Sequence, residues 1–463
     1  MRTYRDLFRA PQFRPLFALS AVQVAASTMS GPALGALVYS ATDSPLLAAL
    51  SMFGSSLAQV IGATVLMSAA DRLPPRAAMT GMALAFGAAT AVLAVPGLPL
   101  PAVFAIVLAE GVVAAVGGGV RYGLLNEILP RDGYLLGRSV LNMCTGLAQV
   151  GGYAIGGLLV AALTARGALL VAAVLYLAGA AAARFGLARR PPRASGRPSV
   201  AATWRVNRVL WSSGPRRRTY LALWVPNGLV VGCESLFVPY APGHAGLLFA
   251  CAALGMLAGD TAVGRFVAPR LRERAHGPGS GQWAATALLL LLAAPYLLFA
   301  ARPALPLALA LAAPASVGFA ASLLLQQRLM DLTPDEISGH ALGLHSSGML
   351  TLQGVAAGLA GTVAEWTSPG TAMAVMAGAS LTVTLVLAAA GRRDAEAGDA
   401  GAPGGGAAGS GAAGGDAGAR IAGARAAGAA DTGTADTNAG DTNAGDGGAG
   451  ETGPGDPQGV SAG

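Results

Sequence analysis

The chain has 463 residues, 54% of them hydrophobic and only 11% charged, against about 25% charged in an ordinary soluble domain. With a mean hydropathy of +0.56, this composition argues against a soluble globular protein and for a membrane one. All thirty basic residues are Arg and none is Lys, which excludes a G-x-x-x-x-G-K-[ST] phosphate loop and any Lys Schiff base.

A bilayer asks for runs of about 20 apolar residues, because each backbone amide in hydrocarbon must be satisfied within its own helix. Twelve such runs are predicted, at 15–40, 45–70, 77–96, 99–120, 139–163, 167–187, 219–240, 244–268, 282–301, 303–325, 341–365 and 370–390. Arg2, Arg5, Arg9 and Arg14 precede the first, which is too long for a signal-peptide core and reads as a retained span. Cys144, Cys233 and Cys251 all fall inside apolar stretches and read as small core residues rather than a disulfide framework.

The Arg residues are distributed very unevenly over the loops. With the N-terminus inside, twenty-six fall on the inner side, ten of them between Arg184 and Arg218, and only Arg166 and Arg302 fall outside. The positive-inside bias therefore predicts a cytoplasmic-membrane protein with both termini in the cytoplasm. The +7 formal charge thus belongs to membrane topology, and no nucleic-acid partner is expected.

The longest polar interior segment, 188–218, divides the spans six and six. The expected organisation is an N-terminal six-helix bundle over 1–187, a basic cytoplasmic linker over 188–218 and a second six-helix bundle over 219–393. The two halves repeat short elements. Arg72-Leu73-Pro74-Pro75-Arg76 follows the second span, and Arg270-Leu271-Arg272-Glu273-Arg274 follows the eighth. Glu127 lies three residues before Pro130 as Asp331 lies three before Pro334, and Gly137, Gly152 and Gly156 are matched to Gly339, Gly354 and Gly358. Duplicated six-span halves with matching loops are an arrangement of secondary transporters. From 394 to 463 the chain is rich in Gly, Ala, Asp and Thr, and it reads as a disordered cytoplasmic tail.

On these residues the chain resembles the major facilitator superfamily, and within it the drug-efflux branch that includes macrolide and siderophore exporters. Thr42-Asp43-Ser44-Pro45-Leu46 is similar to the T-G-S-P-L of that branch's first outer loop. Asp71-Arg72-Leu73-Pro74-Pro75-Arg76 is similar to the family's G-x-x-x-D-R-x-G-R loop, with Met67 in place of the first Gly and Pro74-Pro75 around the second. Gly152-Tyr153-Ala154-Ile155-Gly156-Gly157 resembles the antiporters' G-P-x-x-G-G, with Tyr153 in place of Pro. The resemblance implies an all-helical, twelve-span fold of two pseudo-symmetric bundles working by alternating access. It also implies a cytoplasmic gate at Asp71, Arg72 and Arg76, although the same arginines would hold the loop inside by charge alone. Gly152, Gly156 and Gly157 read either as antiporter signature or as plain close helix packing.

Ionisable side chains at membrane depth cost about 2.5–3.5 kcal/mol on insertion scales and so ask for a reason. Glu110 lies midway along the fourth span, Glu234 in the outer half of the seventh and Asp260 in the inner half of the eighth; Arg121 ends the fourth. A carboxyl shielded from water holds its proton more tightly and can pass it between two sides as access alternates. Glu110 and Glu234 are the leading coupling candidates. Asp260 reads as a structural partner of Arg265, and Arg121 either holds an anion or reaches to the interface. His244, His276, His340 and His345 lack metal-ligand spacing, and no Ser, His and acid form a triad. No cofactor, metal or enzymatic activity is expected. The expected function is proton-coupled export of a small amphipathic molecule by a monomer. A nutrient importer, or a transport-inactive sensor acting through the tail, are the alternatives.

Overall fold

The computed structural model describes residues 4–129, 131–192, 200–263, 280–334 and 337–400; within these, some side chains, among them those of 60–72, 131–136 and 394–400, are not described. Every regular element among the described residues is a helix. A short α1 (Tyr4–Arg9) leads into α2 (Phe13–Thr42), α3 (Pro45–Arg72), α4 (Pro75–Leu93), α5 (Leu100–Ile128), α6 (Arg131–Leu163) and α7 (Ala165–Gly186). These are the six spans expected of the first half. After α8 (Val200–Ser212) come α9 (Gly214–Ser235), the short α10 (Phe237–Tyr240) and α11 (Ala245–Ala262). The ninth span is α12 (Ser280–Ala293), continued by a 3-10 segment over Ala294–Ala301. The tenth is α13 (Leu305–Val317) joined to α14 (Ala321–Asp331) through a 3-10 turn, and α15 (Ser338–Trp366) and α16 (Pro369–Ala400) complete the set.

Among the described residues ten segments are long and apolar enough to cross a membrane by length and composition, and α5 adds an apolar stretch over Leu100–Ala115. The remaining one, α3, has 28 residues, about 42 Å of helix against a hydrocarbon core of about 30 Å. Prolines shape the second half. Pro314 inside α13 precedes the 3-10 turn, and Pro295 opens the 3-10 end of the ninth span, since proline removes an intrahelical donor and clashes with the preceding turn.

The apolar side chains gather separately in the two halves. One cluster is centred on Tyr220, Phe237, Tyr296 and Phe299, and two others combine residues of α1 to α7 around Phe13, Leu124 and Val107. Across the halves, α3 packs on α15 and α6 on α11.

The structure moves two boundaries and places a helix inside the connector. The expected linker contains α8, which docks on the second half through Asn207 Oδ1 and His340 Nε2 at 2.8 Å and through Trp211 stacked on Tyr220. Residues 214–218 already belong to α9. At the other end α16 runs to Ala400, past the point where the composition changes, because Ala395, Glu396 and Ala397 are good helix formers. Residues 401–463 lie outside the described residues.

The glycine matching between halves is also corrected. Gly152 faces Thr28 and Ala25 of α2 in its own half, whereas Gly354 faces Leu57 of α3 in the opposite half. The α15 residue that meets the first helix of its own half is Ala356, opposite Gly232. The true offset is thus 204, the spacing of Glu127 and Asp331, rather than 202; two residues amount to about 200° around a helix, which is the other face. At the same offset, Gly157 meets Gly246 of α11 as Gly361 meets Leu46 of α3.

Candidate functional site

Helices alternate in direction, so the segments 43–44, 164, 241–244 and 367–368 share one end of the bundle, away from the connector between the halves. The halves meet closely at this far end. The Ser44 hydroxyl donates to Glu365 Oε1, and the Leu46 N–H donates to the same oxygen at 3.3 Å. Ser44 Oγ meanwhile accepts from the Leu47 N–H at 3.1 Å, capping α3. A carboxylate from α15 therefore completes the first turn of a helix in the other half, where the helix dipole favours negative charge.

On the other side of the interface an added Cβ at Gly157 would lie 2.6 Å from the Gly246 Cα, so α6 and α11 touch backbone to backbone there. One turn away, Tyr153 stacks on Phe249 with ring centroids 5.1 Å apart. The tyrosine standing in the place of the antiporters' proline is thus a contact between halves. Gly152 and Gly156 face α2, where added Cβ atoms would meet the Ala25 carbonyl at 2.9 Å and the Met29 Cα at 3.0 Å.

Toward the connector end a cavity of about 310 Å³ lies between the halves. Arg121, Gln149 and Tyr153 line it from one half, and Glu234, Met256 and Asp260 from the other. Glu234 Oε1 accepts from Ser316 Oγ at 3.4 Å. The fully buried Tyr296 hydroxyl sits beside Ser316 and Glu234. Asp260 is exposed to the cavity; its expected partner Arg265 lies outside the described residues.

A second cavity, of about 250 Å³, lies within the first half. Its polar lining includes Gln23, Ser27, Ser30, Gln59, Thr90 and Glu110, and Arg121 borders it as well. Glu110 is within hydrogen-bonding reach of Thr90, and Tyr176, which reaches Ser27 and Ser30, lies near it. No ion pair among the described residues holds Glu110, Glu234 or Asp260. The fold thus gathers Arg121, Glu234 and Asp260 around one cavity, with Glu110 in the neighbouring one.

Asp71 and Arg72 end α3, where the structure describes the backbone alone, and Arg76 stands half-buried in the first turn of α4. Of the uncharged polar groups, Gln353 donates to Asn227 at 3.1 Å between α15 and α9, while the Asn142 side chain lies outside the described residues. Thr90, Tyr176, Tyr296, Ser316 and Glu365 were not legible as site residues. Each lies on a different span from the group it serves, and a hydroxyl or an acid at a helix end carries no local signal. Cys144 and Cys233 are buried, in keeping with core residues, and Cys251 is partly so.

The model of the family described as Major Facilitator Superfamily matches residues 16–327. No curated protein matches the chain. Among solved structures, one similar in fold is a POT family transporter in complex with a thioalcohol-conjugated peptide, with TM-score 0.64, 11% identity, and coverage of 82% of this chain and 96% of that one. Another is a variant of the nucleoside transporter NupG, with TM-score 0.66, 13% identity, and coverage of 82% and 99%. A bacterial homolog of the human lysosomal transporter Spinster, inward-facing and unoccupied, gives TM-score 0.61, 12% identity, and coverage of 82% and 96%.

Proposed function

The chain belongs to the major facilitator superfamily and is a multi-pass secondary transporter rather than an enzyme, and from that premise we propose that it exports a small amphipathic molecule across the cytoplasmic membrane in exchange for protons. The observation that carries this reading is the cavity between the halves, where Arg121 from α5 faces the same space as Glu234 and Asp260 from α9 and α11. Apolar walls at Phe249, Ala252, Ala253 and Met256 suit a greasy cargo, and a few polar groups can orient it.

Coupling is assigned to Glu110, with Glu234 second. Both are held by neutral groups, Thr90 in one case and Ser316 in the other, and neither is held in an ion pair among the described residues. A carboxyl without a fixed countercharge is able to gain and lose a proton as the cavity exchanges sides. Arg121 borders both cavities, so a proton on Glu110 changes the field that cargo meets beside Glu234. In this cycle both termini face the cytoplasm and a monomer suffices. Asp71, Arg72 and Arg76 close the connector end when the far end opens.

The test is transport in proteoliposomes under an imposed pH gradient. Glu110→Gln is expected to reduce gradient-driven flux to the level of empty liposomes while purified protein keeps its melting temperature. Driven flux equal to that of the unmodified protein removes Glu110 from the coupling role.

A further inference from the structure

The two faces of α8 carry different residues. Val206, Asn207, Leu210 and Trp211 turn toward the second half: Leu210 is fully buried, and the Trp211 ring lies 5.9 Å from that of Tyr220 and 5.7 Å from that of Trp224. Arg205, Arg208, Val209 and Ser212 are exposed, at the i, i+3, i+4 and i+7 positions that make one helical face. The helix is also fixed in direction. Only Ser213 separates it from α9, and Arg216 donates from Nη2 to the Val209 carbonyl at 2.9 Å and from Nη1 to the Leu332 carbonyl at 3.4 Å. A last-turn carbonyl that α8 leaves without an intrahelical partner is thereby satisfied.

The depth of α8 follows from what it rests on. Arg216, Arg217 and Arg218 open α9 and cannot sit in hydrocarbon, whereas Tyr220 and Trp224 are of the residue types that gather at headgroup level. The bilayer boundary therefore crosses α9 near the rings against which Trp211 packs. An amphipathic helix at that level lies along the surface, with its outer face toward lipid headgroups. That face carries positive charge alone. The sequence has no Asp or Glu between Asp132 and Glu234, and no ion pair among the described residues holds Arg205, Arg208 or the exposed Arg217. An arginine beside an anionic leaflet favours contact by about fivefold.

We propose that α8 is an interfacial helix whose Arg205 and Arg208 face recruits anionic phospholipid to the connector end of the second half. Because α8 is tied to α9 and α15, this contact anchors that half to its leaflet. It needs neither the exporter assignment nor the coupling role of Glu110.

The test is energy transfer in nanodiscs holding the full chain, with the native cysteines removed and a donor dye on Ser212→Cys, an exposed position of the same face. The acceptor is acyl-labelled phosphatidylglycerol or acyl-labelled phosphatidylcholine. Transfer to phosphatidylglycerol exceeding that to phosphatidylcholine roughly twofold or more, reduced to parity by Arg205→Gln with Arg208→Gln, supports the proposal. The same donor on Trp366→Cys, exposed at the far end, is the control and is expected to show no such preference. If the double variant does not fold, Val209→Glu carries the test, because it sets a negative charge on the arginine face and is expected to abolish the preference. Equal transfer to the two lipids at Ser212→Cys, or a preference that survives both the double variant and Val209→Glu, overturns the proposal. Transfer to a labelled hexaglutamate peptide without any preference between the lipids assigns the face to an acidic protein partner and overturns it too.

Discussion

Single residues in this transporter matter through the helix face they occupy, and the glycines of α6 show this clearly. Gly152 and Gly151 are neighbours, yet an added Cβ at Gly152 would meet the Thr28 hydroxyl and the Ala25 carbonyl, whereas one at Gly151 meets nothing within 4 Å. Gly152→Leu is therefore expected to destabilise the protein by about 1–3 kcal/mol through overpacking, and Gly151→Leu to leave it unchanged. Thermal unfolding of the two purified variants compares them directly, and equal melting temperatures would refute the assigned face. Gly157→Leu acts differently, because the clash falls between halves at Gly246 rather than inside one. Its expected signature is a far end that no longer closes, with the separate cores intact.

Among the helices, the junction between α3 and α15 joins the halves by a specific polar contact as well as by packing. Glu365 receives the Ser44 hydroxyl and the Leu46 amide across the interface, and its exposure limits what the contact is worth. A hydrogen bond to a charged group contributes about 1.5–3 kcal/mol when well shielded. For this wet one about 1 kcal/mol, or roughly fivefold in the balance between closed and open far ends, is the reasonable expectation. Glu365→Ala should accelerate thiol labelling of a cysteine placed at Leu46 by about that factor, with the three native cysteines removed, and Ser44→Ala should move it the same way. Unchanged labelling in both variants would show that packing at Gly361 and Gly157 alone closes this end.

For the full chain, alternating access requires two bodies that stay intact while the contact between them changes. Separate apolar clusters in each half, joined by α3 with α15 and α6 with α11, suit that motion. The final helix ends at Ala400, so truncation after Ala400 is expected to leave proteoliposome flux near that of the full chain. A collapse of flux after that cut would favour a role acting through the tail instead. Impermeant labelling of single cysteines placed in 188–218, on intact cells, tests orientation: the connector should be protected until the cells are opened.

Much of this was legible in the order of residues alone. The hydrocarbon core demands long apolar helices and tolerates few charges, so length, hydropathy and the uneven placement of thirty Arg residues predicted twelve spans, two halves and the four ionisable groups worth attention. Local chemistry could not tell which helix face each residue takes. The two-residue error in matching Gly152 to Gly354 exchanged a face turned to its own half for one turned to the other half, and no periodicity in a helix apolar on every side reveals it. Nor could it show that Arg121 shares a cavity with Glu234 and Asp260, that Thr90 and Tyr176 attend Glu110, or that Glu365 caps a helix of the other half. Those pairings join positions up to 321 residues apart, and they exist because helix packing, a property of three-dimensional shape, brings them together.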